Sequence, residues 1–158
     1  MTRICGATVA VIACLTSAAL AQAPASPTID LSTITSLNCT FTVGAQVVWA
    51  KDGTPSTKVK EGPVLNVTIR KIDSADGTAE LVTPNQAEGI VQVYGWNMHI
   101  LEASRSGRML ITTVFGREGR DKKLKAVHTR TDYLPIDLPG FISEPEATQY
   151  YGECEAGR

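Results

Sequence analysis

The side chains that could do chemistry in this chain are few and widely separated. His99 and His128 are the two histidines, and neither has a cysteine or carboxylate at a spacing known from metal sites. The sequence has no serine in a strand-to-helix elbow, no cysteine–histidine pair and no phosphate-binding glycine loop. We therefore expect no catalytic residue, no metal, no cofactor and no enzymatic activity.

His128 fits a structural role better than a chemical one. Alternation along its segment places it on the same face as Leu124 and Ala126, as expected for a histidine at the edge of a core.

The first residues have the pattern of an export signal. Arg3 precedes an apolar run from Ile4 to Leu15, and Ala19-Leu20-Ala21 offers small residues at positions −3 and −1 of a cleavage site. The apolar run is too short to span a bilayer comfortably. We predict a periplasmic or extracellular protein with a signal peptide over 1–21, an N-terminal linker over 22–36 and a β-domain over 37–158.

The cysteines support the same compartment. Cleavage after Ala21 removes Cys5 and Cys14 and leaves Cys39 and Cys154, which we expect to form a disulfide in an oxidising compartment. Lipidation of Cys14 is the alternative to cleavage after Ala21.

In the rest of the chain, apolar and polar residues mostly alternate with a period of two. Leu37, Cys39 and Phe41 alternate with polar residues, as in a half-buried strand, and the pattern continues to Ala50 past a bend or bulge at Gly44. No segment has a convincing helical pattern. Eight strands are predicted, over 37–50, 65–70, 78–83, 90–95, 98–103, 109–115, 123–131 and 148–154.

Eight strands in sequence favour a small antiparallel up-and-down barrel. Closure of such a barrel places the start of the first strand beside the end of the last, where Cys39 and Cys154 lie. The disulfide and the barrel therefore support each other. A two-sheet β-sandwich is the alternative, because periodicity does not reveal closure.

The total charge is balanced, but its distribution is not. A count of 15 basic against 16 acidic residues argues against nucleic-acid binding, and a mean hydropathy near zero argues against a polytopic membrane protein. The segment 105–130 holds eight basic residues and two acidic ones. A candidate patch for an anionic surface or an envelope protein comprises Arg117, Arg120, Lys122, Lys123 and Lys125. A solvated turn is the alternative.

The connection over 132–147 is unusually long and apolar. It contains three prolines, and connections of this length tend to be functional or disordered. We expect it to fold back as a plug completing the core or as a lid over a ligand, and to bury Phe141. Its apolar side chains are Ile136, Leu138, Phe141 and Ile142.

Short motifs at 39–42, 112–115, 126–128 and 149–154 resemble a pattern in uncharacterised small exported bacterial β-proteins. The resemblance implies an exported β-protein and brings no catalytic residues. Lipocalins fit less well, because Gly44 and Trp49 are too far apart for their Gly-x-Trp motif. We expect a non-enzymatic binding or envelope-associated module; the alternative is a lipocalin-like carrier of a small apolar ligand.

Overall fold

The computed structural model describes residues 29–50, 52–82, 87–103, 107–133 and 145–157. Each of the eight predicted strands is present, and two short 3-10 turns, Leu31–Thr33 and Arg120–Lys122, accompany them. The strands are β1 Ser36–Trp49, β2 Pro55–Asp73, β3 Thr78–Leu81, β4 Ala87–Tyr94, β5 Asn97–Ala103, β6 Met109–Glu118, β7 Leu124–Asp132 and β8 Glu146–Gly157.

The eight strands form a closed antiparallel barrel. Each strand pairs with the next, and β8 returns to pair with β1. The up-and-down barrel is thus confirmed and the sandwich excluded. As predicted, β1 runs on past Gly44, and the irregularity lies just before it, where the register with β2 and β8 shifts between Phe41 and Val43.

The predicted disulfide joins the strands at which the barrel closes. Cys39 and Cys154 are direct neighbours across β1 and β8, with their Cα atoms 3.9 Å apart. The bond links residues 115 positions apart in the chain. Disulfides of this kind are typical of proteins in oxidising compartments.

The barrel interior changes from apolar to polar along its axis. Residues paired across antiparallel strands point to the same face, so inward side chains form layers. Counted from the disulfide toward the polar end, the first three layers are Cys39, Cys154 and Leu124; then Phe41, Gly152, Ala126, Val114 and Met98; then Gly44, Tyr150, His128, Thr112 and Ile100. The fourth is Gln46, Thr148, Arg130, Leu110 and Glu102. We call the disulfide end the capped end and the other the polar end.

A 3-10 turn closes the capped end. Asp30 begins it by accepting hydrogen bonds from the backbone N–H and the hydroxyl of Ser32. Leu31 and Ile34 are buried in the core, and the N–H of Ile29 donates to the carbonyl of Gly116. Part of the segment that composition marks as a linker therefore packs as the base of the barrel.

The β1–β2 hairpin extends beyond the paired part of β3 at the polar end. β2 pairs with β1 as far as Pro55, but its described pairs with β3 lie between Ile69 and Asp73. We call residues 43–49 and 55–61 the arm. β2 begins ten residues earlier than predicted. The sequence did not reveal this part of the strand, because lysines and Gly62-Pro63 interrupt the alternation in 55–64.

Candidate binding surface

Two threonine–histidine pairs lie on opposite faces of the barrel wall. Inside, the Thr112 hydroxyl is 2.9 Å from Nδ1 of His128, and outside, the Thr113 hydroxyl is 3.0 Å from Nδ1 of His99. Successive residues of β6 point to opposite faces, so the two pairs share a geometry but differ in burial.

His128 is a neutral core residue, as its alternation with Leu124 and Ala126 predicts. It is 5% exposed and lies between the rings of Phe41 and Tyr150, with centroid distances of 5.6 and 6.1 Å. Burial, with a smaller contribution from the charge of Arg130, lowers the pKa of His128 from 6.5 to about 4. The imidazole therefore serves as an uncharged hydrogen-bonding group at neutral pH.

Charged groups surround the interior at the polar end. Asp132 accepts hydrogen bonds from Arg108, at 2.6 Å, and from Arg130. Burial acts to raise the pKa of Asp132, but these two guanidinium groups outweigh it and lower the pKa below its ordinary value. Within the described part of the chain, the buried Oε2 atom of Glu102 has no hydrogen-bond partner.

The candidate basic patch meets carboxylates from β8. Lys123 forms an ion pair of 2.8 Å with Glu155, and Lys125 lies opposite Glu153 in the register. The hydrogen bond and charge of Glu155 raise the pKa of Lys123, with smaller contributions from Glu153 and Asp121. Arg117 and Lys122 lie in the same region and are exposed, whereas the side chain of Arg120 is outside the described part. The local excess of positive charge in the sequence is thus reduced by neighbours distant along the chain.

The candidate lid or plug lies outside the described residues, and this applies to Ile136, Leu138, Phe141 and Ile142. Its flanking residues Asp132 and Glu146 are paired neighbours at the polar end, so the connection leaves and re-enters the barrel there. Burial of Phe141 remains a prediction.

The outer wall of β6, β7, β8, β1 and β2 is nearly uncharged toward the polar end. Three successive rows of paired residues cross these five strands, and Glu61 is the one charged residue among the fifteen. The rows are Met109, Thr131, Ala147, Val47 and Thr57; Ile111, Thr129, Gln149, Ala45 and Val59; and Thr113, Val127, Tyr151, Val43 and Glu61. We call this surface the low-charge wall.

The low-charge wall departs from an ordinary protein surface. Charged residues make up 20% of the whole chain, and exposed surfaces are usually richer in charge than that. Val59 is 69% exposed, Tyr151 45%, and Trp49, at the end of the arm, 44%. A surface with so little charge and with several exposed apolar side chains is typical of an interaction site.

A groove continues the same wall toward the capped end. It has a volume of about 680 Å³, and its apolar lining includes Val43, Phe115, Val127 and Tyr151. Its charged lining is Lys123, Lys125, Glu153 and Glu155. The volume lies in the range of ligand sites, and the charges balance.

Gly152 allows the close strand approach beneath this groove. A Cβ atom there would lie 2.6 Å from Cα of Phe41, so β8 can approach the bulge of β1 only without a side chain at this position. On the outer face, the Tyr151 hydroxyl donates to Oε1 of Gln149 at 2.8 Å, which holds the ring against the wall.

Sequence reasoning missed these surface residues because each was assigned to the strand pattern alone. The available signal was the set of outward-facing positions, which is every second residue of each predicted strand. In 43–47 and 147–151 these positions hold valine, alanine and tyrosine and no charged residue. Recognising one continuous surface also required the register across five strands.

Within the described residues there is no group of three or more side chains suited to hold a metal, and no described helix is long and apolar enough to cross a membrane. No family model, curated protein or solved structure matches the chain.

Proposed function

We propose that this protein is an exported, non-enzymatic β-barrel that acts by binding a protein partner through its low-charge wall. The observation that carries the proposal is the presence of one charged residue among fifteen outward positions on five adjacent strands. Exposed apolar side chains that are grouped on one side of the barrel add little to its core, and such grouping is typical of a surface that contacts another macromolecule.

Export is the second element of the proposal. The disulfide favours an oxidising compartment, and the pattern at 1–21 favours delivery there by a cleaved signal. Intact-mass measurement of the exported protein is expected to show a chain beginning at Gln22. A chain beginning at Met1 or a lipid-modified Cys14 would contradict this.

Binding is tested in the cells that export the protein. A photo-crosslinking amino acid is placed at Val59 on the low-charge wall and, as a matched control, at Glu88, which is exposed on the outer face of β4. We expect a discrete adduct from Val59 and little or none from Glu88. No adduct from Val59, or equal adducts from both positions, would overturn the proposal.

The carrier alternative makes a different prediction. A barrel that carries a small apolar ligand should take up an apolar fluorescent probe in a saturable manner, and substitutions of outward residues such as Val59 should leave that uptake unchanged. We expect no saturable uptake, because the interior beside the capped end is filled by Phe41, Met98 and Val114.

A further inference from the structure

We propose that the polar end of the barrel interior binds a small zwitterion, with the ligand's ammonium group on Glu102 and its carboxylate on Arg108 and Arg130. We call these three residues and Leu110 the mouth site. The inference goes beyond the proposed function, because the mouth site faces into the barrel whereas the low-charge wall faces outward.

Glu102 supplies a negative charge that no described residue neutralises. Its Oε2 atom is buried and has no hydrogen-bond partner, and no ion pair within the described ranges joins Glu102 to an arginine or a lysine. A buried carboxylate without a partner costs stability. An ammonium group carries a positive charge and three N–H donors, so it is well suited to offset this cost.

Asp132 holds two guanidinium groups at the same end of the barrel. Arg108 donates to Oδ1 of Asp132 at 2.6 Å and Arg130 donates to Oδ2, in each case through Nε. No hydrogen bond joins a terminal nitrogen of either arginine to another residue of the described part. The two side chains are 46% and 40% exposed, so these N–H donors are accessible and suited to bind a carboxylate.

Leu110 lies between the two charged regions. It pairs with Glu102 on β5 and with Arg130 on β7, so the three side chains point to the same face in one layer. Neighbouring strands are about 4.8 Å apart, which places the backbones of Glu102 and Arg130 roughly 10 Å apart. An α-amino acid carries both charged groups on one carbon. It is therefore short enough to lie between the two side chains, with its own side chain against the half-buried Leu110.

The charges at this end favour a ligand without net charge. By register and ion pairing, three basic and three acidic side chains meet here: Lys58, Arg108, Arg130, Glu102, Asp132 and Glu146. A simple anion or cation would leave an excess of one sign in a partly buried region, whereas a zwitterion preserves the balance.

Isothermal titration calorimetry of the purified, disulfide-bonded mature protein tests the ligand class. L-Leucine carries both charged groups, L-leucinamide lacks the carboxylate, and N-acetyl-L-leucine lacks the ammonium group. We expect saturable binding of L-leucine. The dissociation constants of both analogues should be about tenfold higher or more, because each analogue leaves one charged part of the mouth site without its partner.

Two substitutions assign the ligand's groups to residues. Glu102→Gln should raise the dissociation constant of L-leucine about tenfold or more without weakening N-acetyl-L-leucine, which has no ammonium group to lose. Arg108→Gln should raise the constant of L-leucine without weakening L-leucinamide, which has no carboxylate. The matched control is Glu88→Gln, since Glu88 is exposed on the outer face of β4 and should leave all three constants unchanged.

Thermal unfolding without ligand gives a second readout for Glu102. Because Glu102→Gln removes a buried charge that lacks a partner, the unfolding midpoint should stay the same or rise. A residue that serves the fold alone would lower the midpoint when changed, and that result would contradict the assignment of Glu102 to a ligand.

Absence of L-leucine binding at millimolar concentration would overturn the inference, and would leave water as the partner of Glu102. Equal binding of the three probes, or equal effects of Glu102→Gln and Glu88→Gln, would also overturn it. These failures are distinct from failure of the proposed function, which is tested by crosslinking from Val59 on the outside of the barrel.

Discussion

The capped end and the polar end of the barrel have different constructions. The capped end has a disulfide, a 3-10 turn and fully buried side chains such as Leu37 and Phe41. The polar end has an interior of hydroxyls, a neutral imidazole and charged groups, and an arm whose β2 edge lacks a described neighbour. We infer from this difference that the capped end supplies more of the stability than the polar end does.

Removal of the disulfide should have the largest effect on stability. Replacing Cys39 and Cys154 together with alanine is expected to lower the free energy of unfolding by about 4 to 5 kcal/mol, because the bond closes a loop of 115 residues. Denaturant unfolding of the oxidised protein and the double variant measures the difference. A loss below about 1 kcal/mol would show that the capped end does not depend on the bond.

Two leucine substitutions compare the ends directly. Leu37→Ala at the fully buried capped end should cost about 3 kcal/mol, because it removes buried methyl groups and leaves a cavity. Leu110→Ala in the half-buried fourth layer should cost about 1 kcal/mol. Equal losses in denaturant unfolding would remove the proposed difference between the ends.

Because of His128, the free energy of unfolding should decrease at acidic pH. The pKa of His128 is about 4 in the folded protein and 6.5 without the fold, so the unfolded chain binds more protons between these values. The stabilising contribution is complete well above pH 6.5 and is lost as the pH falls through 4, by about 3 kcal/mol in total. The free energy of unfolding should depend less on pH in His128→Gln than in the native protein across this range. The same dependence on pH in both proteins would contradict a buried neutral imidazole.

Substitutions in the two threonine–histidine pairs should have the smallest effects on the free energy of unfolding. Thr112→Val removes a buried hydrogen bond to His128 and should cost about 1 kcal/mol, whereas Thr113→Val removes the exterior bond to His99 and should cost less than about 0.5 kcal/mol. Thermal unfolding of both variants provides the comparison. A larger loss from Thr113→Val would reverse the assignment of inner and outer faces.

Much of the fold could be predicted from the sequence, because period-two alternation is a local property and the paired cysteines supply one long-range constraint. The eight strands, the bend near Gly44, the barrel and the disulfide are all confirmed. The base formed by Leu31 and Ile34 was not predicted, since a single 3-10 turn has no periodicity and Asp30-Leu31-Ser32 resembles a loop.

Less of the binding surface could be predicted. The basic residues near Lys123 are adjacent in sequence, but Glu153 and Glu155 approach them only through the pairing of β7 with β8. The low-charge wall likewise depends on the register of five strands, which alternation within each strand does not determine.

Covalent labelling of aromatic side chains by hydroxyl radicals tests the central claim most directly. Trp49 and Tyr151 lie on the arm and the low-charge wall, whereas Tyr94 and Trp96 are exposed at the β4–β5 turn, so each region contains one tryptophan and one tyrosine. We predict that labelling of Trp49 and Tyr151 falls several-fold in the exporting cell relative to the dilute purified protein, while labelling of Tyr94 and Trp96 is unchanged. Equal labelling of both regions in both conditions, or protection confined to Tyr94 and Trp96, would contradict the account.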